Sequence, residues 1–199
     1  ETNRSNARSS KTDRAPNSNQ RWQSNNRPPS ISFTGLLSMT LEQFGSFYSS
    51  NKMENLERAF EYFCVFGGMD TFVDEKRELD ELVESKILNK YRFLHADITK
   101  ITHSQKESHL MLSAIAAGDG RVHSALKRAR LSRQDGEAAI NALCAKDLLK
   151  REYSLESSPN EEEKVDEKLT FSTPFMRFWF AFVSPYFKSV KDGDFKETK

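Results

Sequence analysis

A mainly α, α+β fold is predicted for this 199-residue chain by three observations. Several segments carry apolar residues at helical spacing. Two of them are separated by Gly118-Asp119-Gly120, a turn sequence, and a third follows closely behind Ser132. Two runs of alternating residues then lie across a polar tip. Three helices followed by a hairpin is the order of a winged helix-turn-helix with a two-stranded wing. The sequence therefore reads as a helical N-terminal unit, this module, and a C-terminal aromatic helix.

Residues 1–30 are rich in Ser and Asn and hold almost no aliphatic side chains. They cannot build a core and read as a disordered basic tail. Arg4, Arg8, Lys11, Arg14, Arg21 and Arg27 face only Glu1 and Asp13 there, and with Trp22 they would suit a nucleic-acid-touching arm. Residues 31–52 form a docking segment or short helix. Leu37, Leu41, Phe44 and Tyr48 keep helical spacing after a Thr40-x-x-Gln43 capping box, while Gly45 weakens the helix. An interfacial membrane helix would carry a Lys/Arg-rich polar face, which this segment lacks.

Residues 53–103 are read as a helical linker unit. Met53, Leu56, Phe60, Phe63 and Cys64 share one face of a helix over residues 53–65. Gly67-Gly68 then breaks it; a Walker loop needs G-x-x-x-x-G-K-[ST], so this is a turn. A charged helix is expected over 74–88 with Leu79, Leu82 and Val83 inward. Asp74-Glu75-Lys76, with Asp70 nearby, has the residue types of a nuclease metal cluster, but on a helix such a run is a solvated face.

Residues 104–172 are the winged helix. Its first helix covers 105–117 with Leu112, Ile115 and Ala116 inward, and its second covers 122–130. The third, capped by Ser132, buries Ala139, Ile140 and Leu143. The wing pairs a strand beginning at Leu149 with one over 165–172. Residues 173–199 form the aromatic helix and tail. Thr173 caps, Pro174 takes the first turn, and Phe175, Phe178, Trp179, Phe182 and Tyr186 form the buried face. Phe180 and Phe187 fall off that face and are the candidate partner-binding residues.

Composition bounds the functional classes. With 30 Lys and Arg against 29 Asp and Glu, no global basic field points to nucleic acid. The local pattern does. Arg121, Lys127, Arg128 and Arg130 cluster around the second helix, with His123 among them, while Arg133 and Gln134 open the third, whose first turn enters the major groove in this motif. Glu137 lies one turn further on. The candidate contacts to double-stranded DNA are Arg121, Lys127, Arg128, Arg130, Arg133 and Gln134. The wing tip argues the other way: Glu156, Glu161, Glu162, Glu163, Asp166 and Glu167 face only Lys164, and carboxylates are repelled by phosphates.

Cys64 and Cys144 read as buried free thiols in a reducing, cytoplasmic setting. No apolar run approaches the roughly 18 residues of a membrane span, so no membrane partner is expected. His95, His103, His109 and His123 lack metal-ligand spacing, and no G-x-S-x-G elbow supports a Ser/His/Asp set. No metal, no cofactor and no catalytic residue is assigned. The chain begins at Glu1, not Met, which suggests a fragment or processed product, with Met53 an alternative start.

Phe66-Gly67-Gly68-Met69-Asp70, Ala114-Ile115-Ala116-Ala117-Gly118-Asp119-Gly120-Arg121 and the run from Thr173 through Arg177-Phe178-Trp179-Phe180-Ala181-Phe182-Val183-Ser184-Pro185 resemble the winged-helix region of archaeal-type ATPases. The resemblance covers roughly residues 53–194, and the aromatic run is its specific part. In that family an ATPase module precedes the winged helix and a restriction-endonuclease-like domain comes after it; some bacterial members lack the ATPase. This chain has no Walker motif and stops at Lys199. The resemblance therefore implies a DNA-binding or DNA-positioning module, non-catalytic here, whose partners would be DNA, a C-terminal nuclease-like domain or another copy of the chain. The alternative is an interaction module using the aromatic helix and the acidic wing.

Overall fold

The computed structural model describes residues 41–102, 105–153 and 167–193. The basic tail, the Thr40 half of the capping box, His103 and the acidic residues Glu156 to Asp166 lie outside them. The described part is mainly helical with one small antiparallel sheet.

Helix α1 (Leu41–Ser50) runs through Gly45 and lays Phe44 and Phe47 against Phe63 of α2 (Leu56–Phe66) at steep ring angles. Asn55 caps α2 through Arg58 N, and the Glu75 carboxylate accepts from Glu54 N and Asn55 N at 2.6 and 2.9 Å. A negative charge beside exposed amide donors at a helix start is stabilising. Glu75 thus serves the fold, and the 74–76 cluster is no helix: α3 begins only at Leu79 and ends at Lys86. The charged run ahead of it is turn, because Asp74 bonds Lys76 N instead of continuing a helical ladder. Residues 91–103, read as part of a linker, contain α4 (Tyr91–Ile101).

The face of α2 differs from its expected one. Ala59, Tyr62, Phe63, Val65 and Phe66 are inside, whereas Leu56 and Phe60 are exposed, as is Cys64. Apolar residues nearly encircle this helix, so spacing alone could not choose which arc meets the core. Tyr62 decides it by donating from its hydroxyl to Arg77 O at 2.6 Å.

Helix α5 (Lys106–Ala116) is the central post. It packs on α6 (Val122–Ala129), α7 (Arg133–Ala145) and the C-terminal aromatic segment. Strands β1 (Leu149–Tyr153) and β2 (Glu167–Phe171) pair antiparallel, Leu149 opposite Phe171 and Tyr153 opposite Glu167. The turn after α5 joins them, since Leu169 N donates to Gly120 O at 2.7 Å and Arg121 bridges Lys168.

Helix α8 (Pro174–Phe178) starts against the double-glycine turn, where Phe175 N donates to Gly67 O. Any side chain on Gly67 would meet Phe63 O at 2.6 Å and Pro174 Cγ at 2.8 Å, so the turn requires glycine. Thr173 occupies the cap position but its buried hydroxyl makes no cap bond; the methyl side of Thr173 packs on Gly68 instead. A π-turn, Trp179–Val183, continues α8, followed by a single 3-10 turn and α9 (Phe187–Asp192).

The structure corrects the placement of Phe180. The buried side holds Phe175, Met176, Trp179, Phe180 and Val183, a stripe at ordinary helical spacing that is turned from the expected face of Phe175, Phe178, Trp179, Phe182 and Tyr186; Phe180 is 0 % exposed, and Phe182 turns out to water. Phe180 stacks on Phe171 and meets the His109 ring edge-on, so it is core and not a partner-binding surface. Phe187 remains exposed. A single buried cluster runs from Met53 to Val190, and Lys146, just past α7, caps α4 through Ile101 O, tying the two halves together.

Candidate nucleic-acid interface

Of the six predicted contacts, Lys127, Arg128, Arg130, Arg133 and Gln134 lie at the end of α6 and the start of α7, while Arg121 stands at the opposite end of α6. Helix α6 ends because Arg130 adopts a left-handed backbone, φ 55°, and its N–H closes on Leu126 O and Lys127 O. Leu131 and Ser132 then reverse the chain. Ser132 Oγ accepts from Asp135 N at 3.1 Å and donates to the Asp135 carboxylate, which fixes the first turn of α7. Gly136 lets the two helices close: a Cβ there would lie 1.9 Å from Leu126 Cδ2.

Between α6, the start of α7 and β2 lies an open cleft of about 720 Å³ lined by Arg121, His123, Ser124, Lys127 and Arg133, with Glu137 and Glu167 on its inner wall. Arg130 is exposed at the bend between the helices, and Gln134 is exposed on the first turn of α7 outside the cleft lining. Arg128 points the other way. Its Nη1 donates to Ala114 O at 3.1 Å, so it caps the end of α5 and is committed to the fold.

The chain matches no family model, no curated protein and no solved structure. The chemistry of the cleft must therefore be read from its own residues.

The two inner carboxylates would repel an anion were they unpaired. Arg151 on β1 answers both: its Nη2 donates to Glu137 Oε2 at 2.8 Å and to Asn141 Oδ1 at 2.9 Å, and its Nη1 donates to Glu167. Burial disfavours the charge on Arg151, but the hydrogen bonds it donates to the two carboxylates outweigh that cost and raise the guanidinium pKa. Asp119 pairs with Arg121 at 3.7 Å, an exposed contact of small energy. Among the described residues Lys127, Arg130 and Arg133 have no ion-pair partner and are open to an external anion.

Sequence reasoning missed Arg151 and placed Glu137 among the outward residues. An arginine alternating along a strand carries no mark that two helix and strand acids will converge on it. Among the described residues no group of three His, Cys, Asp or Glu could hold a metal ion, and no helix is long and apolar enough to cross a membrane. What the cleft offers chemically is the cationic groups of Lys127 and Arg133 at an open surface.

Proposed function

We propose that residues 104–172 are a winged helix-turn-helix that binds double-stranded DNA, or positions a nuclease-like neighbour on it, without itself being catalytic. The observation that carries this reading is that Lys127 and Arg133 line one cleft and Arg130 is exposed at the bend between α6 and α7, none of the three with an ion-pair partner among the described residues. In this reading α7 is the recognition helix, so Arg133 and Gln134 face base edges while Arg121, Lys127 and Arg130 hold phosphates. The resemblance to the winged-helix region of archaeal-type ATPases points the same way. A cytoplasmic setting belongs to the proposal and agrees with two free cysteines among the described residues.

The test is a fluorescence-anisotropy titration of the chain with random-sequence duplex at low salt. Binding that is lost when Lys127, Arg130 and Arg133 are together replaced by Glu supports it; absence of binding, or binding indifferent to those changes, overturns it. Arg128 is left intact because its substitution would disturb α5.

A second reading, an interaction module built on the C-terminal aromatic segment, draws on the exposure of Phe182 and Phe187, 56 % and 47 %. It predicts partner capture or self-association lost on Phe182→Ser with Phe187→Ser while the fold survives.

A further inference from the structure

An apolar recess of about 410 Å³ opens between α2 and the C-terminal aromatic segment. Phe60, Phe63 and Cys64 line it from α2, and Pro174, Phe178 and Phe182 from the aromatic segment. Its walls are braced. Gly67 admits Phe63 and Pro174 so closely that a Cβ there would lie 2.8 Å from a ring carbon of each. Phe63 packs in turn on the rings of Phe44 and Phe47, and Phe178 on Phe182 with ring centres 5.4 Å apart. A preformed, ring-lined recess with few polar groups is the form that small-molecule sites take, at volumes of roughly 300–1,000 Å³.

One cation belongs to this lining. Arg177 on α8 borders the recess and is exposed. Among the described residues its guanidinium has no ion-pair or hydrogen-bond partner. The charge reaches the Cys64 thiol, which burial pushes up and Arg177 pulls down. An unanswered guanidinium beside ring walls suits an occupant with an anionic end and an apolar body. The rings take up the body, and the planar fork presents two parallel donors to a carboxylate. Glu61 also acts on that thiol, in the opposite sense, so a second negative charge on the occupant would be repelled and a monocarboxylate is favoured over a phosphate dianion.

We propose that this recess binds a small organic acid, its single carboxylate received by Arg177 and its aromatic body held among Phe60, Phe63, Phe178 and Phe182. Arg177 and Cys64 lie outside residues 104–172, so the site stands or falls apart from the DNA reading. A second location competes for the same guanidinium. Arg177 also borders a smaller cavity of about 330 Å³ whose lining includes Lys168 and Asp119. That cavity has one ring, Phe171, and a carboxylate of its own, so it suits an aromatic acid less. Lys168 tells the two locations apart.

The probes are 2-naphthoate and its neutral counterpart 2-naphthamide, titrated into the full chain by isothermal calorimetry. The acid is expected to bind about tenfold more tightly than the amide, the difference that one charge-assisted contact makes. Arg177→Gln is expected to abolish that preference and leave the affinity for the amide unchanged, Phe182→Ser to weaken both probes, and Lys168→Ala to change neither. All three side chains are exposed, and circular dichroism checks that helix content is retained. Absence of binding, equal affinity for acid and amide, or a preference that survives Arg177→Gln overturns the proposal. A preference lost in Lys168→Ala also overturns it, because the probe would then sit in the smaller cavity.

Cys64 reports independently on where the probe sits. In the full chain carrying Cys144→Ser, Cys64 is the single thiol. Saturating 2-naphthoate is expected to slow its alkylation by a maleimide at fixed pH, and 2-naphthamide at the same concentration is expected to protect it less. An alkylation rate indifferent to bound 2-naphthoate overturns the proposal.

Discussion

Arg151 on β1 donates to Glu137 on α7 at 2.8 Å, and through this bond the hairpin is registered against the helix proposed to meet DNA. The same guanidinium holds Glu167 of the opposite strand and Asn141 one turn along α7. Its side chain is 22 % exposed, so removing it leaves two carboxylates poorly solvated. Arg151→Ala is expected to cost about 2 kcal/mol, below the range for a fully buried pair because water still reaches this one. Urea unfolding measures it. Arg151→Lys should recover little, since an ammonium cannot present the planar fork that three acceptors share.

Gly120 combines a left-handed backbone, φ 78°, with a close approach: a Cβ would sit 2.6 Å from Leu169 O. The neighbouring hydrogen bond from Leu169 to Gly120 O leaves the strand no room to withdraw. Gly120→Ala should destabilise the chain by about 2 kcal/mol from backbone strain and displacement together. The checking measurement is the thermal midpoint, which should fall by several degrees.

Phe180 and Phe182 provide a paired test of which arc of the aromatic segment is buried. Phe180→Ser empties a fully buried ring position and should cost about 3–5 kcal/mol, while Phe182→Ser should stay within about 0.5 kcal/mol. Were the expected arc of Phe175, Phe178 and Phe182 the buried one, the two values would exchange. Equilibrium denaturation of both variants under one set of conditions decides.

His109 ties pH to the aromatic segment. Its Nε2 meets Ser184 Oγ at 3.2 Å and its ring meets Phe180. Burial, with a smaller push from His95, lowers its pKa below the ordinary histidine value. A lowered folded-state pKa means that the unfolded chain takes up the proton first. The contribution to stability is therefore complete above about pH 6.5 and declines as pH falls through the lowered folded value. Urea midpoints between pH 7 and pH 5 should fall more steeply for the parent than for His109→Gln, the difference isolating this group from the carboxylates.

Salt dependence distinguishes the proposed roles of the cations. Lys127→Ala should weaken binding evenly across duplex sequences and reduce the magnitude of the log–log salt slope by about 1. Arg133→Ala should also flatten discrimination between preferred and mismatched sites by about 1–3 kcal/mol. Anisotropy titrations over a salt series on both duplex classes read the two effects.

Much of the α5–α7 region was legible from residues alone. Ser132 caps α7 as its position implied, Ala139, Ile140 and Leu143 face inward, and the alternation around Leu149 and Leu169 pairs as a hairpin. Local rules act over three or four residues, and these features obey them. The face of α2 was not legible, because Leu56, Phe60 and Cys64 compete with Ala59, Tyr62 and Phe66 for the core and only distant partners choose between them. Phe180 was misread for a related reason: apolar residues nearly encircle the segment, two arcs keep helical spacing, and neighbours such as Phe171 and His109 choose between them. At the proposed interface, the cations on α6 and α7 could be named in advance, but the diversion of Arg128 to Ala114 O and of Glu137 to Arg151 depends on tertiary neighbours.

The bond from Phe175 N to Gly67 O joins residues roughly a hundred positions apart. During synthesis at about 5–20 residues per second, the inward arc of α2 must wait on the order of 5–20 s for the aromatic segment that covers it. The contacts of α5, α6 and α7 with one another need no such delay, since these helices follow each other within a few dozen residues. The apolar inner arc of α2 is thus made well before the aromatic segment that puts it away.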